Sequence, residues 1–385
     1  MHMPATDGKK GPANRPKVVF AGKMGGLLNV KYAFLQAVAA DYGFAPLLAA
    51  DPDDDHKLLR ESGLPVLARC TPVDVADAAA IVLDDFVDNT ALQQMPLPRV
   101  PVIQLWHGVP LKKIGFPEIS SAVNMTPEKA AWLTRRYSGY ASVPSTSPWM
   151  TEQLFSRVFR ADVFPELGFA RNDVLLRAPG RNDMLGVDVD LYAHVARHRK
   201  AGGKVVVYMP TFRDTGGSFL EDGIIDPMFI NTFCTRHDIL FLAKFHHSIR
   251  VDSFRKLPGF CVYNSGCDIY PLLPMADALI TDYSSIYFDF MLLDKPLVFF
   301  PYDKEKYISR DRELFYDYAS MTPGLHVRSQ EELVSAILRT VMHGDDPHAA
   351  ARRSLRDTVF ARVDALSAHR VCNHIKDLVT SNKEC

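Results

Sequence analysis

The feature that most constrains this chain is a rhythm that runs twice: short, almost uninterrupted apolar segments alternate with stretches of helical periodicity. "KVVFAG" leads through the turn "KMGGLLN" into the helical "VKYAFLQAVAADYG". "APLLAAD", "AAAIVLDDF" and "VPVIQLWHG" follow, each apolar and each ending in small or polar residues. Apolar runs of about four to eight residues between helices of about 10–15 read as parallel βαβ units. The stretch "GFARNDVLLRAPGRNDMLGVDVD" breaks the pattern with Gly, Pro, Asn and Asp. A second series then begins: "KVVVYMPTF", "DILFLAKF", "GFCVYNSG", "DALITD", "PLVFFPY".

The expected fold class is therefore α/β, with two doubly wound Rossmann-like domains facing a cleft. A length of 385 residues, too great for one ordinary core, agrees with two domains. The expected divisions are a flexible lead-in over 1–15, an N-terminal domain over 16–180, a nucleotide-binding domain over 181–345 and C-terminal helices over 346–385. Ser329 is a predicted N-cap, with Glu332 at the spacing of a capping box.

Composition excludes several classes. With 47% apolar and 23% charged residues the chain is globular, and a formal net charge of −1 leaves no global footprint for nucleic acid. Six scattered cysteines without a C-x-x-C pair argue against a zinc site and a disulfide framework, and fit a reducing cytoplasm. The start "MHMPATDGKKGPANRPK" lacks the apolar middle of a signal peptide. No apolar run approaches the ~18 residues that a bilayer span requires. The expectation is a cytoplasmic protein that at most lies on a membrane.

In open parallel sheets, ligands bind at the carboxyl ends of the strands. Four predicted strands end in donors or cations. They lead to Trp106-His107-Gly108, with Lys112 and Lys113 close behind, to Thr211 and Arg213, to Lys244 and His246, and to Thr281, Asp282, Ser284 and Ser285. In "TDYSSIYFDFMLLDK" the spacing of Ile286, Phe290 and Leu293 predicts a helix that starts at the serines. A helix start offers unpaired N–H groups to a phosphate. An N-cap role for Asp282 or Ser284 explains one polar residue and leaves three unexplained. His107 titrates near neutrality and suits a general base; the alternative is a core histidine bonded to backbone. Lys244 and His246 leave the same face of their strand end and suit an anion.

Other signals carry less. "DPDDDHK" at 51–57 resembles the acidic motif by which some sugar transferases hold a metal, but reads as a solvated loop. "GKMGGLLN" fits no phosphate-loop pattern, although Gly25 and Gly26 would let backbone approach a ligand. The segment "WLTRRYSGYASVPSTSPWM" suits either a membrane surface or the core, and Trp132, Tyr137 and Tyr140 are read as core.

The pieces "WHGVPLKKIGF", "GFARND", "YMPTFRD", "KFHH", "DIYPLLPMADALITDYSSIYFDFMLLDKPLVFF", "PYDKEKY" and "LFYDY…TPG", in this order, resemble the CDP-glycerol glycerophosphotransferase family of teichoic-acid primases and polymerases. They cover about residues 104–325. The resemblance implies a GT-B type fold and transfer of glycerol 3-phosphate from CDP-glycerol to an acceptor hydroxyl with release of CMP. It implies a polyprenyl-linked glycan or polyol-phosphate acceptor at the inner face of the cell membrane, with peripheral membrane contact and no nucleic acid. Carried over residue by residue, it implies His107 as base and His246 as a catalytic phosphate ligand. The hydroxyls of Thr281, Ser284 and Ser285 would surround the phosphate. Neither a cofactor nor a tightly bound metal is expected. His247 stands where the family usually has proline, Ala170 begins what is usually Pro-Arg-Asn-Asp, Val109 replaces a common threonine, and Asp364-Ala365 replaces an Asp-Gly. These departures bear on acceptor identity more than on reaction type. CDP-ribitol as donor, a glycosyltransferase or epimerase on the same fold, and a non-catalytic nucleotide binder are the alternatives.

Overall fold

The computed structural model describes residues 15–22, 28–50, 59, 61–67, 70–93, 95–121, 125–213, 223–245 and 257–381. The first apolar series supplies four strands of a seven-stranded parallel sheet, and β3, β6 and β7 are not marked by it: β1 (Lys17–Gly22), β2 (Ala45–Ala50), β3 (Val66–Leu67), β4 (Ala78–Leu83), β5 (Val102–Gln104), β6 (Ser138–Ser142) and β7 (Arg160–Val163), in the order β3-β2-β1-β4-β5-β6-β7. The second supplies five strands of a six-stranded parallel sheet, to which β13 adds an edge the pattern does not mark: β8 (Lys204–Met209), β9 (Ile239–Ala243), β10 (Phe260–Val262), β11 (Ala278–Thr281), β12 (Leu297–Phe299) and β13 (Leu325–His326), ordered β10-β9-β8-β11-β12-β13. Both sheets reverse direction beside their first strand, between β1 and β4 and between β8 and β11. This is the doubly wound topology, and its ligand crevice lies outside the carboxyl ends at each reversal. The two domains make a GT-B type fold, as the rhythm and the resemblance together implied.

The central strands are buried on both faces, which explains their continuous apolar runs: Val205, Val206, Val207 and Tyr208 are all inaccessible, as are Leu279 and Ile280. The expected cap at Ser329 forms, its Oγ accepting from Glu332 N at 3.2 Å. The reciprocal contact differs, because the Glu332 carboxylate accepts from Arg328 N at 2.7 Å.

The chain's end returns to the first domain. Helix Ser367–Ser381 packs on helix Asn29–Ala39, where Cys372 Sγ donates to Ala33 O at 3.4 Å. Its first turn is held by the buried Asp173 carboxylate, which accepts from Ser367 N and Ala368 N at 2.9 and 2.8 Å.

Buried ion pairs join the two domains. Lys31, on helix Asn29–Ala39, is inaccessible and donates to Asp268 Oδ2 (2.6 Å), Leu185 O (2.6 Å) and Asp183 O (2.8 Å). Tyr32 donates to the same Asp268 oxygen at 2.7 Å. All three ammonium protons are thus used, the condition under which a buried charge is tolerated. Asp268→Ala should leave Lys31 uncompensated and lower stability by about 3–5 kcal/mol. Asp41→Ala, which breaks the exposed Arg15–Asp41 pair, should lower it by less than about 1 kcal/mol. Urea denaturation of the two variants checks the contrast.

Candidate active site

The first-domain wall is built on a strained turn after β5. Trp106 adopts φ +53° and Gly108 φ +126°, both in the left-handed region. A tryptophan there costs of order 1–3 kcal/mol, so its surroundings must hold it. Trp106 N donates to Gln104 Oε1 at 2.9 Å, and Asn29 Nδ2 donates to Trp106 O at 2.8 Å. The indole packs against Phe86, Tyr137 and Phe159 and stacks on the His107 imidazole at 3.9 Å. Tyr137 and Tyr140 are core residues, as read from the sequence, while Trp132 is 38% exposed.

His107 is half-buried, and its Nδ1 lies 3.1 Å from the backbone carbonyl of Asp84. A carbonyl only accepts, so Nδ1 carries the proton and Nε2 keeps its lone pair. Loss of solvation lowers the His107 pKa to about 4, against the weaker pull of the Asp84 carbonyl, so the ring is neutral at pH 7. The Asp84 side chain lies beneath and is inaccessible. Its carboxyl accepts from Val30 N at 2.9 Å, yet burial raises its pKa to about 7.

The second-domain wall is a set of loops tied together from below. Thr211 N and Tyr283 N donate to Asp282 Oδ1 at 2.8 and 2.5 Å. Arg213 bridges Asp282 (2.9 Å) and, through two bonds, Asp303 (2.7 and 2.8 Å). Thr281 Oγ1 donates to Met209 O at 2.7 Å, and the Tyr283 ring stacks on Tyr307 at 3.8 Å. These groups fix the ends of β8 and β11 to one another.

Between the walls lies a cleft of about 610 Å³. His107, Gly108 and Lys112 line it from the first domain, and Thr211, Ser265, Ser284 and Ser285 from the second. No Asp or Glu lines it among the described residues. Such a surface suits an anion. Among the described residues no three His, Cys, Asp or Glu side chains gather as metal ligands.

The sequence reading thus divides. His107, Thr211, Ser284 and Ser285 meet at the cleft. Thr281, Asp282 and Arg213, expected to touch phosphate, are instead buried beneath it, because each finds an internal partner that offsets its desolvation. Lys244 lines the cleft, but its ammonium turns to the 264–267 loop, donating to Asn264 O, Ser265 O and Cys267 O at 3.2, 2.7 and 2.6 Å. Burial lowers its pKa to about 8. Ser285 is the residue before helix Ile286–Phe290, which passes into a tighter turn over Met291–Leu293. His246, Gly25, Gly26 and the acidic run 51–57 lie outside the described residues.

Sequence reasoning gave no role to Lys112, whose ammonium stands 5.7 Å from the Tyr307 ring centroid. Its spacing from His107 was the available signal. It also gave none to Asp84, which reads from the sequence only as the polar end of a strand.

The model of the family described as CDP-Glycerol:Poly(glycerophosphate) glycerophosphotransferase matches residues 53–377. The chain belongs to this family. It is an enzyme of the glycerophosphotransferase type. It is 29% identical over 293 residues to the teichoic acid glycerol-phosphate transferase of Staphylococcus aureus (strain NCTC 8325 / PS 47), covering 72% of each chain. It is 24% identical over 330 residues to the teichoic acid ribitol-phosphate primase of Bacillus spizizenii (strain ATCC 23059 / NRRL B-14472 / W23), covering 82% of this chain and 79% of that protein. The solved structure of the wall teichoic acid polymerase TagF superposes with a TM-score of 0.72 at 22% identity, covering 96% of this chain and 90% of TagF. That likeness bears on the fold.

One consequence of the Asp84 environment is measurable without substrate. Its native pKa of about 7 lies above the ordinary 3.8, so the folded state binds the proton more tightly than the unfolded chain. The stability this contributes is full below pH 3.8 and is lost as pH rises through 7. Asp84→Asn should therefore gain stability relative to wild type between pH 5 and pH 8, read as a widening difference in urea midpoint.

Proposed function

We propose that this family member transfers glycerol 3-phosphate from CDP-glycerol to a hydroxyl of a membrane-associated, polyprenyl-linked glycan or polyol-phosphate acceptor, releasing CMP. The acceptor oxygen attacks the β-phosphorus in line. The bond from that phosphorus to the bridging oxygen breaks as the new one forms, and the bridging oxygen leaves on CMP. The acceptor proton passes to Nε2 of His107.

The observation that carries this reading is the state of His107. It is a neutral imidazole with its proton held on Nδ1 by a carbonyl, standing at a cleft whose described lining holds no carboxylate. A neutral base accepts a proton, and an anion-tolerant cleft accepts a diphosphate. Phosphoryl transfer asks mainly for positioning and charge stabilisation, which Lys112 and the hydroxyls of Ser284 and Ser285 supply in this scheme, while the Thr211 hydroxyl is buried within the wall. His246 enters as a further phosphate ligand, and Gly25 and Gly26 as a close backbone approach, on the family motif and the sequence pattern alone. Lys244, Arg213, Asp282 and Thr281 hold the walls. No described helix is long and apolar enough to cross a membrane, so contact with a lipid-linked acceptor would occur at the membrane surface.

CDP-ribitol is the second reading, favoured by the similarity to a ribitol-phosphate primase over 82% of the chain. Incubation with each CDP-alditol and with nucleotide sugars, with and without a lipid-linked acceptor, separates these readings. CMP release from CDP-glycerol that depends on acceptor supports the first; UDP release from a nucleotide sugar would replace it with glycosyl transfer.

His107→Ala should reduce turnover by about 10²-fold or more, and near-normal turnover would remove it as the base. In wild type the base is neutral above its pKa of about 4, so kcat/KM should stay level from pH 8 to pH 5 and decline toward pH 4. A decline centred near 6.5 would contradict the assigned environment.

A further inference from the structure

The "ARND" stretch carries a group that the scheme above does not use. Arg171 is 5% exposed, and its Nη2 donates to Asp289 Oδ2 at 2.5 Å. Asp289 is inaccessible and sits on the helix that directly follows Ser284 and Ser285. It also accepts from Asn172 Nδ2 at 3.1 Å and Tyr270 OH at 2.6 Å. On the other side, Arg171 Nη2 lies 2.6 Å from the position a side-chain carbon would take on Gly108, so the guanidinium lies directly against the turn that presents His107. That same vacant position is 3.6 Å from Ser285 Oγ. Arg171 N donates to Asn29 Oδ1 at 3.0 Å, and Asn29 Nδ2 holds the Trp106 carbonyl.

A single guanidinium thus touches the turn of the first domain and is bound by the helix of the second. We infer that Arg171 is a positioning residue for the transfer reaction, setting His107 against the Ser284–Ser285 turn through its pair with Asp289. The inference rests on His107 acting at the cleft. Electrostatics agree with the geometry. Desolvation is the largest influence on the imidazole and lowers its pKa, the Asp84 backbone carbonyl and the Asp85 charge favour its charged form, and the Arg171 cation opposes it. Lys112, on the same segment, adds a further positive charge to the cleft.

Asp289→Ala or Arg171→Ala alone would strand a buried charge and confuse misfolding with loss of function. The double variant Arg171→Met/Asp289→Leu removes both charges at similar volume. In the full chain we expect it to fold, to keep KM for CDP-glycerol within about threefold, and to lose about 10–100-fold in kcat, the usual scale for a misplaced catalytic pair. Wild-type kcat would overturn the inference. Should the double variant fail to fold, Arg171→Lys keeps the charge but loses the planar fork. A kcat reduced about tenfold supports the inference, and an unchanged kcat overturns it.

Loss of activity in His107→Gln alone, with the double variant normal, overturns the positioning role and leaves the base intact.

Discussion

Asp289 is wholly buried beside the interdomain crevice, and a carboxylate there costs several kcal/mol unless donors surround it. Three do: Arg171, Asn172 and Tyr270. Two of the three come from the segment between the sheets, so the second domain cannot satisfy its own carboxylate without the linker in place. The linker in turn is bound to the first domain through Asn29, and its Asp173 holds the first turn of the C-terminal helix. Four consecutive residues, Ala170 to Asp173, lie buried at the junction of both domains and the chain's end. The cleft has its shape because these polar groups have no cheaper partners.

Within that frame the chemistry follows from where solvent is excluded. An imidazole in water is partly protonated near neutrality and is a poor base in that fraction. Here desolvation, with a carbonyl fixing the tautomer, leaves His107 neutral. The cost of that environment is visible in the same turn, in the left-handed backbone of Trp106 and the raised pKa of Asp84. Strain and a perturbed carboxyl gathered at one turn are features that functional sites concentrate, and they agree with the role proposed for His107.

The fold was legible because parallel strands buried on both faces leave continuous apolar runs, and nine strands of the described residues follow such runs, whereas β3, β6, β7 and β13, short or partly exposed, left no such run to read. The strand ends were legible as a class for the same reason, since polar residues begin where burial stops. Which way each side chain turns was not. Arg213 and Asp282 stand at strand ends like Thr211 and Ser284, yet they fold under the cleft, because Asp303 lies 90 positions from Arg213 in sequence and next to it in space. Lys244 was read as a phosphate ligand from its position, but the carbonyls it holds belong to a loop some 20 residues away. Arg171 and Asp289 are 118 positions apart, and neither residue type reveals its partner. Local pattern places a residue at a strand end; only tertiary partners decide its direction.

The two halves of the proposed reaction sit on different domains, the base on the first and most of the phosphate contacts on the second, so the distance between them is an interdomain quantity. Rotation that opened the cleft would separate Arg171 from Asp289 and Lys31 from Asp268 together, exchanging two buried ion pairs for four groups in need of solvent. Breaking such pairs is expensive even where forming them gains little, because the penalty falls on the orphaned charge. The spacing of the cleft is therefore set before any ligand arrives. For a transfer that depends on holding a hydroxyl in line with a phosphorus, a base and phosphate ligands already at fixed separation remove much of the entropic barrier. The buried pairs add little to net stability, and their contribution to the reaction is the separation they impose.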